Sequence, residues 1–411
     1  MEKTLIDFYD TLDPEKLSLL KKHLQKQFEY RKNKKIFGIV FDMLHECNLR
    51  CRGCGTDASF SFEKIISNPK PSFDDVISIL LKIRKYADTF HKNIFLNIGG
   101  GEPFLRNDIH EIIKLASQYF GVEGVGIDTN GSIDNSYELI EKALPYISYI
   151  GISINGLEDY HNWWSGNSKI NAFKRSTDVI RRICENNFNN NKIEITSVAT
   201  KRNIKHIPKL MRILAELGVK NYSVHRAMPV GRMKNTLDLI PSANEYLQLL
   251  VDIIVTAEEC GLNAHLHHSI ESIHATLLLG LNTYAPDKIG NPDLGSSIGI
   301  EPNGTLVFDP WCTMGVWKTL TSGNLLSDEL NLTELIGTDR GTVLDLAKIY
   351  TAPHLRCNGC KYPCSGGSRI AAAANELGKI NEQEIKDSHI LSAMTAIDPA
   401  CPLFIRGKNE L

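Results

Sequence analysis

Three cysteines fall close together in Glu46-Cys47-Asn48-Leu49-Arg50-Cys51-Arg52-Gly53-Cys54, with three and then two residues between them. Three thiolates can ligate three irons of a cubane and leave the fourth iron open. An open iron is what a catalytic cluster requires, just as an open coordination position separates catalytic zinc from structural zinc. Two other chemistries fit the same residues: a zinc knuckle completed by a ligand such as His45, or three incidental thiols.

Further along, Gly99-Gly100-Gly101-Glu102-Pro103 follows a β-branched run. Its glycines let backbone approach a ligand closely, and Glu102 can accept hydrogen bonds from an ammonium group. Asp128-Thr129-Asn130-Gly131, Ser153-Ile154-Asn155-Gly156 and the segment from Arg226 to Arg232 each stand at the end of a later apolar run. Taken singly, each reads as an ordinary strand-end turn.

In this order, the cysteine spacing and the motifs after it resemble the radical S-adenosylmethionine (SAM) superfamily, from Cys47 to about Arg232. The resemblance implies that Cys47, Cys51 and Cys54 hold a [4Fe–4S] cluster that binds SAM and cleaves it reductively to a 5′-deoxyadenosyl radical. It further implies that Gly100, Gly101, Glu102 and Pro103 hold the methionine amine of SAM and that Thr129 and Asn130 meet the ribose. Ser153 and Asn155 would contact ribose or the SAM carboxylate, and Arg226 would open a stretch running past the adenine. Three residues depart from the family pattern. Gly53 replaces the usual aromatic before the third cysteine, where it lies near the adenine. Asn155 replaces an acid, and Ser165 replaces an arginine in His161-Asn162-Trp163-Trp164-Ser165-Gly166. The paired tryptophans suit core packing or a substrate pocket.

The C-terminal part carries Cys312, then Cys357, Cys360 and Cys364, then Cys401 in Asp398-Pro399-Ala400-Cys401. The triplet plus Cys401 supplies four thiolates, enough to saturate a cubane or to bind structural zinc. From about Ile300 to Cys401 the chain resembles the SPASM extension of radical SAM enzymes, which ordinarily ligates two auxiliary clusters. Cys357, Cys360, Cys364 and Cys401 match the outer cluster's ligands. The inner cluster is missing its set: Ser368 stands where a cysteine is expected and none follows Gly323-Asn324. One auxiliary [4Fe–4S] cluster is therefore expected, two clusters in all. Cys312 is then available as a hydrogen-atom donor, or is a buried small residue. Cys184 and Cys260 sit in helical patterns and read as core. The run His265-Leu266-His267-His268 could bind metal but has no spaced partner in the sequence.

The elements that must position these residues alternate. Short β-branched runs near 38–43, 94–98, 122–128, 149–153, 192–198 and 220–224 are separated by helical patterns near 73–86, 108–119, 135–144, 170–186 and 207–217. The expected fold class is α/β: a partial (β/α)6 TIM-like barrel with its site at the C-terminal strand ends, followed by a small cysteine-rich iron–sulfur domain. The expected organisation is an N-terminal helical segment over 1–35, the barrel over 36–235, a helical connection and linker over 236–297 and the auxiliary-cluster domain over 298–411.

With 46 basic against 48 acidic residues, no net basic field favours nucleic acid, and no apolar stretch reaches bilayer length. The start lacks the pattern of a signal peptide, so a cytoplasmic protein is expected, with cysteines as ligands or thiols rather than disulfides. The activity expected is radical hydrogen abstraction fed by a low-potential donor such as flavodoxin or ferredoxin. The SPASM-like tail implies maturation of a ribosomally made peptide by crosslinking, epimerisation or dehydrogenation. A dehydrogenase or epimerase acting on a sugar or aminocyclitol is the second reading, and a non-catalytic zinc-binding scaffold the third.

Overall fold

The computed structural model describes residues 8–33, 36–58, 69–185, 191–267, 270–283, 297–307, 321–327 and, towards the C-terminus, 369–377, 396–402 and a few isolated positions. Cys312, Cys357, Cys360 and the linker residues 287–296 lie outside them.

Strands alternate apolar and polar side chains, so each presents one face to helices and one to the barrel interior. The six expected strands are β1 (Ile36–Asp42), β2 (Asn93–Gly99), β3 (Val125–Thr129), β4 (Tyr149–Ser153), β5 (Ile193–Ala199) and β6 (Asn221–Arg226). Neighbours pair in parallel, as right-handed crossover connections require. Their outward residues, among them Ile39, Phe41, Leu96, Ile98, Ile127, Ile152, Ile195 and Val224, are buried in one core with the helices. The inward residues are polar and bond across strands, as in Asn97 Nδ2 to Asp128 Oδ2 at 2.6 Å and Tyr149 hydroxyl to Glu194 Oε1 at 3.4 Å.

Helix α1 (Pro14–Asn33) precedes the barrel and packs against later helices. The crossovers carry α2 (Phe73–Phe90), α3 (Ile109–Phe120), α4 (Ser136–Ala143), α5 (Glu158–Ser165), α6 (Ala172–Glu185) and α7 (Ile207–Glu216). Helix α2 opens on a capping box, Ser72 with Asp75, in which each side chain satisfies the other's backbone N–H.

The sheet does not end at six strands. After α8 (Ala243–Cys260) a short β7 (Asn263–Leu266) pairs in parallel with β6, before α9 (Ile270–Leu279). On the other side β8 (Ser297–Ile300) pairs in parallel with β1, followed by antiparallel β9 (Thr305–Val307) and β10 (Thr321–Asn324). The order is β10-β9-β8-β1-β2-β3-β4-β5-β6-β7, an open barrel. The stretch 240–280 therefore includes a strand within what its sequence presents as helix, and α10 (Arg369–Leu377) is the last described helix. No described helix is long and apolar enough to cross a membrane.

Candidate active site

The three cysteines occupy the loop after β1, at the C-terminal end of the sheet, and other strand ends hold this loop in place. Gly101 N–H donates to Leu44 O at 2.7 Å and Glu102 N–H to Glu46 O at 2.9 Å, so the loop after β2 runs against the cysteine loop backbone to backbone. Only glycine permits that approach: Gly100 has φ +114°, and a Cβ on Gly101 would lie 2.0 Å from Glu46 O.

Glu102 is fully buried. Its Oε1 accepts from Thr129 Oγ1 at 2.8 Å and Phe104 N–H at 3.2 Å, and its Oε2 accepts from Asn130 N–H at 2.8 Å. Burial nevertheless pushes its carboxyl up to about 7 against these bonds. A carboxylate has about four acceptor sites, so capacity remains for a cation. Asn130 continues the network, donating to Asn48 Oδ1 at 2.8 Å and lying 3.8 Å from Cys47 Sγ. The motifs after β2 and β3 thus converge on the first cysteine.

The thiols are half-buried; desolvation pushes Cys51 up to about 12 and Cys47 higher still, with neighbouring thiolates adding to both rises. Arg232 works the other way on Cys51. Its Nε donates to Cys51 O at 2.6 Å, its Nη1 to Asp57 and to Ala58 O, and its backbone N–H to Cys54 O at 3.0 Å. The segment after β6 therefore clamps the loop's far end.

Zinc–thiolate bonds of about 2.3 Å place tetrahedral sulfurs roughly 3.8 Å apart. Among the described residues, Glu194, His265 and His267 are the one set of three metal-ligating groups whose ligand atoms all lie within 4.8 Å of one another. Three thiolates in one loop leave one iron of a cubane open, whereas a structural zinc ion takes four protein ligands, so the donor set suits a cluster. No disulfide joins the described cysteines.

The departure at Gly53 has a steric cause. A Cβ there would fall 2.3 Å from Trp164 Cη2 and 2.6 Å from Met233 Cε. Helix α5 delivers Trp164 by docking on the cysteine loop: Arg50 and Arg52 N–H donate to Ser165 O and Trp164 O, each at 2.9 Å. Asn167 Nδ2 adds a bond to Asn48 O at 2.8 Å. Trp164 is buried in a cluster with Ala227 and Met233, against which Tyr160 and Cys51 pack, while the guanidiniums of Arg52 and Arg202 lie 4.6 and 3.9 Å from the Trp163 ring centre. Packing, not an open pocket, accounts for Trp164.

Two residues expected to meet the cofactor, Asn155 and Arg226, also make contacts within the protein. Asn155 Oδ1 accepts from Val198 N–H at 2.8 Å and Asn155 N–H donates to His161 Nδ1 at 3.0 Å, so this residue stitches β4 to β5 and α5. Arg226 is buried, and its two terminal nitrogens bond Asp398 at 2.7 and 2.8 Å. Its charge is matched by that ion pair. Asp398 in turn accepts Ala400 N–H and Cys401 N–H, which fixes the backbone around Cys401. Ser153 Oγ lies 3.4 Å from Thr196 Oγ1 at the rim, and Pro103 opens a short 3-10 turn behind Glu102. Arg232, Trp164 and Asp398 carry no local signal of these contacts, because each meets its partner across a long stretch of chain.

Residues 43–214 match the radical SAM superfamily. This part of the barrel is a radical SAM domain. The chain is 27% identical over 232 residues to the Fe-coproporphyrin III synthase of Methanosarcina barkeri, a match covering 55% of this chain and 52% of that protein. It thus spans about half the length of that relative. It is 24% identical over 298 residues to the mycofactocin maturase MftC of Mycolicibacterium smegmatis, covering 71% of this chain and 67% of MftC. Among solved structures, Streptococcus suis SuiB bound to precursor peptide SuiA superposes with a TM-score of 0.61 at 16% identity, covering 92% of this chain and 82% of SuiB. The structure of anSMEcpe with bound AdoMet gives 0.60 at 16% identity, covering 82% and 90%. The radical SAM domain thus shares the partial-barrel fold of these proteins.

Proposed function

We propose that Cys47, Cys51 and Cys54 hold a [4Fe–4S] cluster on which SAM binds, and that the chain uses it to modify a peptide. When bound, the cluster supplies the electron that cleaves SAM, and the resulting 5′-deoxyadenosyl radical takes a hydrogen atom from substrate. Glu102 is the acceptor for the SAM ammonium, whose charge would compensate the buried carboxylate, and Thr129 and Asn130 hold Glu102 in place. Gly100, Gly101 and Pro103 shape that cradle, and Ser153 lines its rim. Arg232 secures the cysteine loop's carbonyls, and Trp164 closes over Gly53 and shields that side from water. The observation that carries this reading is the convergence of Glu102, Thr129 and Asn130 on Cys47 at the C-terminal ends of β1 to β3.

Cys357, Cys360, Cys364 and Cys401 are the proposed ligands of one auxiliary cluster, with the Arg226–Asp398 pair tying Cys401's segment to the barrel. Flavodoxin or ferredoxin is the proposed electron source, and Cys312 the proposed hydrogen-atom donor. The longer alignment with mycofactocin maturase supports the peptide reading. The match to Fe-coproporphyrin III synthase favours a small-molecule substrate as the second reading.

Anaerobically reconstituted protein given dithionite and SAM should release 5′-deoxyadenosine. Glu102→Gln, which keeps the side chain's size and removes the charge and one acceptor oxygen, should weaken SAM binding at least tenfold with iron content unchanged. Equal SAM affinity in wild type and Glu102→Gln would remove Glu102 from the site.

A further inference from the structure

Deeper in the barrel, the inner faces of β5, β6 and β7 bring together residues that the reading above does not use. On a strand, residues two apart point to the same side. His265 and His267 therefore face the interior together, and the register that sets Ser223 opposite His265 places β6 between them and β5. Glu194 reaches them from β5, two residues before Thr196 at the rim. One ligand atom from each of Glu194, His265 and His267 lies within 4.8 Å of the other two, and all three residues are only half-buried, so an ion could reach them.

The surroundings hold the rings and the carboxylate in position. Ser223 Oγ lies 3.2 Å from His265 Nε2, and the Tyr149 hydroxyl donates to Glu194 Oε1 at 3.4 Å. His265 and His267 rings are 4.1 Å apart, and His225 stacks on His267 at 4.7 Å with an interplanar angle of 29°. Outer partners of this kind fix the orientation of ligating imidazoles and carboxylates.

We propose that Glu194, His265 and His267 form a site for one divalent transition-metal cation, distinct from the cysteine cluster. Two imidazoles and a carboxylate suit zinc, ferrous iron or cobalt(II) better than magnesium or calcium, which prefer all-oxygen shells. Three protein ligands leave coordination positions open to the barrel interior, where water or an oxygen or nitrogen of a substrate completes the shell. The sequence shows two of the three ligands, the His-x-His pair, and the parallel sheet supplies the carboxylate.

The test is equilibrium dialysis of cluster-reconstituted, chelator-washed full-length protein against Zn²⁺, with zinc and iron counted per chain. Wild type should retain about one zinc beyond its iron, and Glu194→Gln, His265→Ala and His267→Ala should each bind it at least tenfold more weakly with iron unchanged. Absence of retained zinc in wild type, or equal retention in all three variants, would overturn the site. Glu194→Gln is nearly isosteric, so it reports even where a histidine variant folds poorly. Cobalt(II) in wild type locates the ion independently. A spectrum free of thiolate-to-cobalt charge transfer supports the site, whereas a strong charge-transfer band would place the metal on cysteines and refute it.

Discussion

At the scale of single residues, Gly53 and Trp164 behave as one unit. The space that a side chain at 53 would take is filled by the Trp164 indole and the Met233 methyl, 2.3 and 2.6 Å from the Cβ position. Overpacking a filled site costs about 1–3 kcal/mol. Gly53→Phe should therefore lower the unfolding free energy by that amount, and adding Trp164→Ala should recover part of the loss. A double-mutant cycle measures this, and strict additivity would contradict the contact. None of it is visible from the local sequence, since Gly53 reads as an isolated departure and Trp164 as one of two adjacent tryptophans. The motif residues Glu102, Thr129 and Asn130 were legible because each stands at a strand end in a short characteristic run. The contacts that Asn155 and Arg226 make within the protein were not legible, for the opposite reason: their partners, Val198 and Asp398, lie far along the chain.

At the scale of elements, the buried Arg226–Asp398 pair joins the end of β6 to the turn that bears Cys401. Removing one member of a buried ion pair leaves an uncompensated charge and costs about 3–5 kcal/mol. Asp398→Ala should destabilise the protein by that order in chemical denaturation and, with the proposed auxiliary cluster on the C-terminal cysteines, reduce the iron retained. Unchanged stability and iron would mean that the pair does not anchor this segment. The long amphipathic helices and the β-branched strands were legible from periodicity alone, as β1 to β6 show. The four-residue strands β7 and β8 were not. A run as short as Asn263–Leu266 between two helices gives too few residues to establish a period of two, and parallel pairing with β6 and β1 stabilises these strands from outside the segment.

At the scale of the whole molecule, an open parallel barrel collects its strand ends into one site and leaves a polar interior beneath it. The apolar faces of the strands are consumed by helices, so the inner face is free to carry Asp42, Asn97, Asp128, Glu194 and His265. That division lets loops after β1, β2, β3 and β6 meet at the cysteines while β5 to β7 assemble a separate group of ligands below. The measurement that bears most directly on the whole account is iron and 5′-deoxyadenosine in protein with Cys47, Cys51 and Cys54 all changed to Ala. Wild type reconstituted anaerobically should hold about eight irons and cleave SAM; the triple variant should hold about four and release no 5′-deoxyadenosine. SAM cleavage persisting in the triple variant would contradict the assignment of the cluster to these three residues.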